Sequence, residues 1–174
     1  LVKKANWAAQ RQYGVVMRPG DLNRRGAEDF PPGIRTLSLV GGHAFDLAKV
    51  ARFQELRVLQ ITGEAAKYTA RMDFAPINAM PGLESVSLRR CEVWMSQLED
   101  LAKLPALREL DMEYASVMTD RLALPDGDRR ASVWEALPDS QTLEVLRVSN
   151  AGIDGADLDT ITRILNLKVL ILAD

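Results

Sequence analysis

The apolar positions of this chain keep two periods in alternation. A phrase of the form Leu-x-x-Leu-x-Leu, with Ile, Val or Met substituting, occurs six times. Its copies are Ile34, Leu37, Leu39; Leu56, Leu59, Ile61; Leu83, Val86, Leu88; Leu107, Leu110, Met112; Leu143, Leu146, Val148; and Leu167, Leu170, Leu172. The copies start 22, 27, 24, 36 and 24 residues apart. Within each phrase the fourth and sixth positions flank one residue of the opposite face, the period-two alternation of a strand. Between phrases the spacing changes: Leu98, Leu101, Leu104 and Leu158, Ile161, Ile164 or Leu165 fall three or four apart, as on one face of a helix. Each unit is therefore a short strand followed by a short helix. A shift of 60 residues lays Leu83, Val86, Leu88, Cys91, Val93, Leu98, Leu101, Leu104 and Leu107 onto Leu143, Leu146, Val148, Ala151, Ile153, Leu158, Ile161, Ile164 and Leu167. The first copy repeats the helical spacing at Leu47, Val50 and Phe53, two residues early.

Punctuation agrees with this division. Ser96 and Glu99 have the Ser-x-x-Glu spacing of a capping box, and Asp154 with Asp157 places carboxylates at the positive end of a following helix. Pro32-Gly33, Gly41-Gly42, Pro81-Gly82, Pro105 and Pro138 lie between elements, and Pro81, Pro105 and Pro138 precede new phrases, where a helix must stop. A strand and helix this short bury no core alone, so units must stack with their strands side by side. The expected fold is an α/β right-handed solenoid, with a curved parallel sheet on the concave side and short helices on the convex side.

The phrase resembles that of the leucine-rich repeat family, Leu-x-x-Leu-x-Leu-x-x-Asn/Cys-x-Leu, over residues 34 to 174. Position nine departs from it: Cys91 suits, but Gly42, Glu64, Ala115 and Ala151 stand in the other complete copies. The family's asparagine ladder is missing, so less regular turns are expected. The resemblance implies a horseshoe whose concave face binds proteins.

Residues 1–33 do not repeat and are expected to cap the first strand, with an amphipathic helix over Lys3 to Tyr13 and an extended Val15 to Met17. Residues 34–174 form the solenoid. The long fourth spacing marks an insertion near 115–142, its excess around Met118 to Arg130 with a turn at Pro125-Asp126-Gly127-Asp128. Glu64 to Asn78 is a smaller irregularity. Leucine at position 1 suggests a fragment or processed form. Apolar Val169 and Ile171, on the solvent side of the last strand, suggest that the solenoid continues beyond 174 or that a partner covers this edge, an edge-to-edge dimer included.

Composition narrows the chemistry. The 174 residues carry 22 basic and 24 acidic side chains, a net charge of −2, without the clustered Lys and Arg of a nucleic-acid groove or a polybasic membrane patch. No run reaches the roughly 18 apolar residues of a membrane span. One His and one Cys exclude a multi-histidine zinc site and an internal disulfide. Absence of disulfides favours the cytoplasm and leaves export as an effector open.

On the concave face, positions two, three, five, seven and eight of each phrase are expected to be exposed. Their densest cluster is Arg89, Arg90, Glu109, Asp111, Glu113, Tyr114 and Arg147, which joins both charge signs to an aromatic ring. Arg and Tyr dominate binding hot spots, so these residues are the candidate partner-binding site. The plainer reading is a row of cross-strand ion pairs, each contributing about 0.2–1 kcal/mol. His43 and Cys91 as a base and nucleophile are opposed by two strand spacings, roughly 10 Å, between them. The acidic pairs Glu99-Asp100 and Glu109 with Asp111, and Asp126-Gly-Asp128, lack the spacing of a calcium loop. Trp7, Trp94 and Trp134 are candidate stacking platforms, but Trp94 and Trp134 precede or open convex helices, where packing is the simpler role, and Gly41-Gly42 has no phosphate-loop context. The expected function is non-catalytic recognition of another protein, with no cofactor and no catalytic or metal residues. The alternative is the substrate-targeting repeat domain of a larger enzyme or bacterial effector.

Overall fold

The computed structural model describes residues 15–18, 30, 33–41, 45–63, 72–119, 132, 134–149 and 153–173. Among them, nine strands alternate with short helical segments. In chain order these are β1 (Val15–Met17), β2 (Thr36–Val40), α1 (Leu47–Val50), β3 (Val58–Thr62), a 3-10 turn (Ala75–Ala79), β4 (Ser85–Arg89), β5 (Glu92–Trp94), α2 (Met95–Ala102), β6 (Glu109–Glu113), β7 (Ser116–Met118), a second 3-10 turn (Leu137–Asp139), β8 (Val145–Ser149), α3 (Gly155–Ile161) and β9 (Val169–Ala173). The protein is thus α/β, built on a seven-stranded, wholly parallel sheet in the order β1-β2-β3-β4-β6-β8-β9. The strands named by the six phrases are all present, and Val15–Met17 adds a seventh at the edge beside β2. The expected helix over Lys3 to Tyr13 lies outside the described residues.

Register follows the leucines. Val15, Leu37, Leu59, Val86, Leu110, Leu146 and Leu170 pair from strand to strand across the whole sheet. The helical segments close over this face, and one apolar cluster runs from Val15 to Ile164. A one-residue slip would turn every one of these side chains to the other face, so burial fixes the register.

The backbone bonding at the junctions recurs as well. The carbonyl of Arg35 accepts from the N–H groups of Arg57 and Val58, at 2.8 and 2.9 Å. Arg57, Glu84, Arg108 and Glu144 do the same for the second and third phrase residues of the next strand. The first phrase residue is also tied back: Leu56 N–H donates to Phe53, Leu83 to Met80, Leu107 to Leu104 and Leu167 to Ile164. At Leu143 the acceptor is the Ser140 hydroxyl, at 3.3 Å. Buried backbone groups must find partners, and these two bonds supply them at each strand start.

The helical side differs from expectation in detail. Two of its segments are 3-10 turns with Pro76 and Pro138 in their first residues, where a missing N–H costs nothing. Pro138 thus opens a turn and does not end a helix. Helix α2 begins at Met95, so Ser96 sits inside its first turn. The Gln97 side chain, not Glu99, reaches back to accept from Trp94 N–H at 2.8 Å. The Asp154–Asp157 start is as expected: Asp154 accepts from Asp157 N–H at 3.0 Å and Asp157 from Asp154 N–H at 3.2 Å.

A second, two-stranded parallel sheet joins β5 to β7, with Glu92, Val93 and Trp94 opposite Ser116, Val117 and Met118. Nothing in the phrase pattern signals it. Regular structure therefore extends through Met118, and Trp134 and Leu137, both 1% exposed, rejoin the core. Of the segment 115–142, residues 120–131 and 133 lie outside the described residues, among them the turn at 125–128.

Gly63 follows β3 where the backbone of the next unit crosses closest. A Cβ there would overlap the Arg90 carbonyl, which is main chain and cannot swing aside. Gly63→Ala is expected to cost about 1–3 kcal/mol and to lower the thermal midpoint by several degrees. Gly155→Ala, at an open position starting α3, should be neutral or slightly stabilising. Thermal unfolding of the two variants side by side measures the contrast.

Candidate functional site

The sheet face turned away from the helices is carried by phrase positions three, five and seven. Its character changes along the strand order. Thr36, Ser38, Gln60 and Thr62 make much of the β2–β3 part neutral and polar, the Ser38 hydroxyl donating to Gln60 Oε1 at 2.7 Å, although Val40 and, on the edge strand β1, Val16 are exposed beside them. The centre, on β4, β6 and β8, is charged. The far end is apolar: Val169 and Ile171 are each 42% exposed.

All seven candidate residues lie in the charged centre, where the structure groups them into three sets. In the first, Asp111 is almost fully enclosed on β6. Its Oδ2 accepts from Arg89 Nε at 3.0 Å, Arg89 Nη2 at 2.8 Å and the Ser87 hydroxyl at 3.3 Å, while Oδ1 accepts from Glu113 N–H at 3.1 Å. Arg89 also reaches Glu113 Oε2 at 3.2 Å. Hydrogen bonding to the Asp111 carboxylate, more than charge alone, raises the guanidinium's affinity for its proton above the ordinary value, against the opposing pull of desolvation. In the second set, Arg147 on β8 pairs with Glu109 on β6. In the third, the Arg90 guanidinium lies 5.9 Å from the centre of the Tyr114 ring, within cation–π range.

The expectation that positions five and seven are exposed needs correcting here. Ser87, Asp111 and Ser149 are buried. Arg89 reaches across to Asp111, which also takes the Ser87 hydroxyl, so these two short polar groups are closed over by a cross-strand contact that strand alternation alone does not reveal.

Arg90 and Tyr114 follow β4 and β6 at the same phrase position, and both have left-handed backbones, φ 54° and 58°. For side chains with a Cβ this conformation costs about 1–2 kcal/mol each. In the first two units the same position is glycine: Gly41, with φ 152°, and Gly63. The corner is held by one recurring bond, from Gly41 N–H to Thr62, Gly63 to Arg89, Arg90 to Glu113 and Tyr114 to Ser149, at 2.9–3.1 Å.

A row of charges that sequence reasoning passed over lies at phrase position two. Arg57 faces Glu84 at 3.8 Å, and Glu144 takes Arg108 at 3.9 Å and Lys168 at 3.1 Å. The signal was available in the sequence as Arg35, Arg57, Glu84, Arg108, Glu144 and Lys168. These pairs are largely exposed and contribute little to stability.

The other chemical candidates do not assemble. Cys91 is buried, its Sγ donating to the Arg89 carbonyl at 3.3 Å and, more weakly, to that of Ile61 at 3.7 Å. Burial pushes its thiol from 9.0 up to about 11, although a backbone hydrogen bond at Gly63 works the other way. His43, Trp7 and Asp126–Asp128 lie outside the described residues. Asp100 is engaged by Lys103 at 3.5 Å. Among the described residues, no three His, Cys, Asp or Glu side chains are grouped to hold a metal ion, and no helix is long and apolar enough to cross a membrane. No protein-family model matches the sequence, and no curated protein matches it.

Two measurements follow from this geometry. A double-mutant cycle on Arg89→Ala and Asp111→Ala, read by urea unfolding, should give a coupling of about 1–2 kcal/mol, above that of an exposed pair because the carboxylate is enclosed. For Cys91 the folded thiol titrates above the unfolded one, so its contribution is intact below pH 9 and lost as pH rises toward 11. In that window stability should fall by up to about 1.4 kcal/mol per pH unit, a slope that Cys91→Ala removes.

Proposed function

We propose that this chain is a leucine-rich-repeat solenoid whose open sheet face recognises another protein without catalysis. The observation that carries the reading is the register: six phrase strands present positions three, five and seven on one continuous face, centred on Arg89, Glu109, Asp111, Glu113 and Arg147, with Arg90 and Tyr114 at the corner that follows. Recurring bonds at the starts of β3, β4, β6, β8 and β9 favour stacked repeats as the origin of that register. The missing asparagine ladder has a substitute. The Cys91 thiol caps two carbonyls, and Ser116 N–H donates to the Cys91 carbonyl at 2.9 Å as β5 and β7 pair.

A face built on paired strands loses little conformational freedom when a partner docks, which favours recognition by shape and charge. Neutral, charged and apolar zones side by side give such a partner three kinds of contact. The partner is a protein in this reading, because the net charge of −2 and the carboxylates on the face disfavour nucleic acid.

Photo-crosslinking tests the proposal. A benzophenone amino acid placed at Gln60 or Ile171, on the open face, is expected to give discrete protein adducts in extract of the producing cells. The same probe at Lys103, on the helical side, is expected to give none. Adducts of equal yield from both sides would overturn the assigned face.

A further inference from the structure

We infer that Arg90 and Tyr114 form an exposed receptor for a single carboxylate side chain of a peptide that also carries an aliphatic residue. The inference rests on the protein-recognition reading above and names the chemistry of the partner.

Charge accounting on the face isolates Arg90. Arg89 is neutralised by Asp111 and Glu113, and Arg147 by Glu109. Among the described residues Arg90 has no carboxylate partner, and its guanidinium lies against the Tyr114 ring, which is 56% exposed. An aromatic ring that fixes a guanidinium without satisfying its donors leaves those donors for an acceptor from outside. Backbone conformation points the same way. Both residues occupy the left-handed region, at a corner where Gly41 of the first unit also has a positive φ. Strain retained in adjacent units at two exposed side chains marks the side chains, not the fold, as its reason.

The surroundings select the ligand. Beside the receptor the three carboxylates Glu109, Asp111 and Glu113 share two arginines, Arg89 and Arg147, and the one negative charge left over disfavours a polyanion more than a single carboxylate placed on Arg90. The exposed Ile171 lies two strands from β6 and three residues back along them, roughly 14 Å from Tyr114 on strand spacings of about 4.8 Å and a rise of about 3.3 Å. An extended peptide covers that distance in about four residues, so Asp or Glu at one end and Val, Leu or Ile at the other would reach both sites.

The test selects peptides from a random library displayed on phage, using the full chain as bait, and measures the winners by fluorescence anisotropy. Enrichment of Asp or Glu about four residues from an aliphatic residue is expected. Arg90→Gly and Tyr114→Gly should each weaken binding by about tenfold. Because glycine relieves the left-handed backbone, neither variant should lower the thermal midpoint. A fall in midpoint would assign the pair to the fold and overturn the inference, as would winners without an acidic residue. Tighter binding of a single-stranded DNA oligonucleotide, lost in Arg90→Gly, would overturn it in favour of nucleic acid. Ile171→Glu separates the two levels of the argument. Winners sensitive to Ile171→Glu but not to the glycine variants sink this inference and leave the recognition face standing, whereas winners indifferent to all three variants sink both.

Discussion

Parallel strands joined by short helical segments must present their leucines at one height, because every inward side chain shares its layer with the strand on either side. In this protein that constraint is enforced twice at each junction. The leucine row from Val15 to Leu170 fixes which face of each strand is buried, and the doubly accepting carbonyls of Arg35, Arg57, Glu84, Arg108 and Glu144 fix where each strand begins. A slip would unmake both together. The opposite face inherits its order from this arrangement: Arg89, Asp111 and Arg147 come together because the leucines beside them are aligned, and no contact among the charges is needed to place them.

How legible this was depends on the length of the signal. Positions four and six of the six phrases alternate strictly, and each of those residues in the first five copies is buried. Burial loosens in the last: Leu170 is half-buried, and Leu172 is 45% exposed on β9, which has a strand on one side only. The three-residue strands β5 and β7 were illegible, since a run such as Glu92-Val93-Trp94 is too short to show a period and their pairing depends on where Cys91 and Ala115 turn inward. The start of α2 was misread because Ser96–Glu99 and Trp94–Gln97 both have capping spacing. What separates them is the burial of Gln97, whose amide also donates to the Met72 carbonyl. Five of the seven candidate site residues were placed on one face by phrase position, and Arg90 and Tyr114 at the corner that follows it. Their grouping into three sets was not, because it depends on the reach of arginine across neighbouring strands.

The charged centre bears on both readings of the sheet face. Cross-strand ion pairs keep a sheet soluble, and Arg89, Asp111, Glu113, Glu109 and Arg147 are all occupied in such pairs. Under the recognition proposal the same pairing is useful for a different reason. A partner that covered isolated charges would have to supply a counter-ion for each or leave it buried and unpaired, at a cost of several kcal/mol. Asp111 already accepts four hydrogen bonds, so covering it leaves no orphaned carboxylate oxygen.

That distinction divides the seven residues by the work each could do. Under the recognition proposal the paired charges would set shape and exclude mismatched partners by repulsion, a contribution to specificity more than to affinity. Affinity has to come from groups whose interactions improve on binding, and on this face those are the exposed Tyr114 ring, the Arg90 guanidinium above it and the aliphatic side chains of β9. The corner geometry limits how freely the first two can be exchanged. Any side chain at those positions bears the left-handed backbone, so glycine is the substitution the fold itself favours, and Arg and Tyr stand there against that preference.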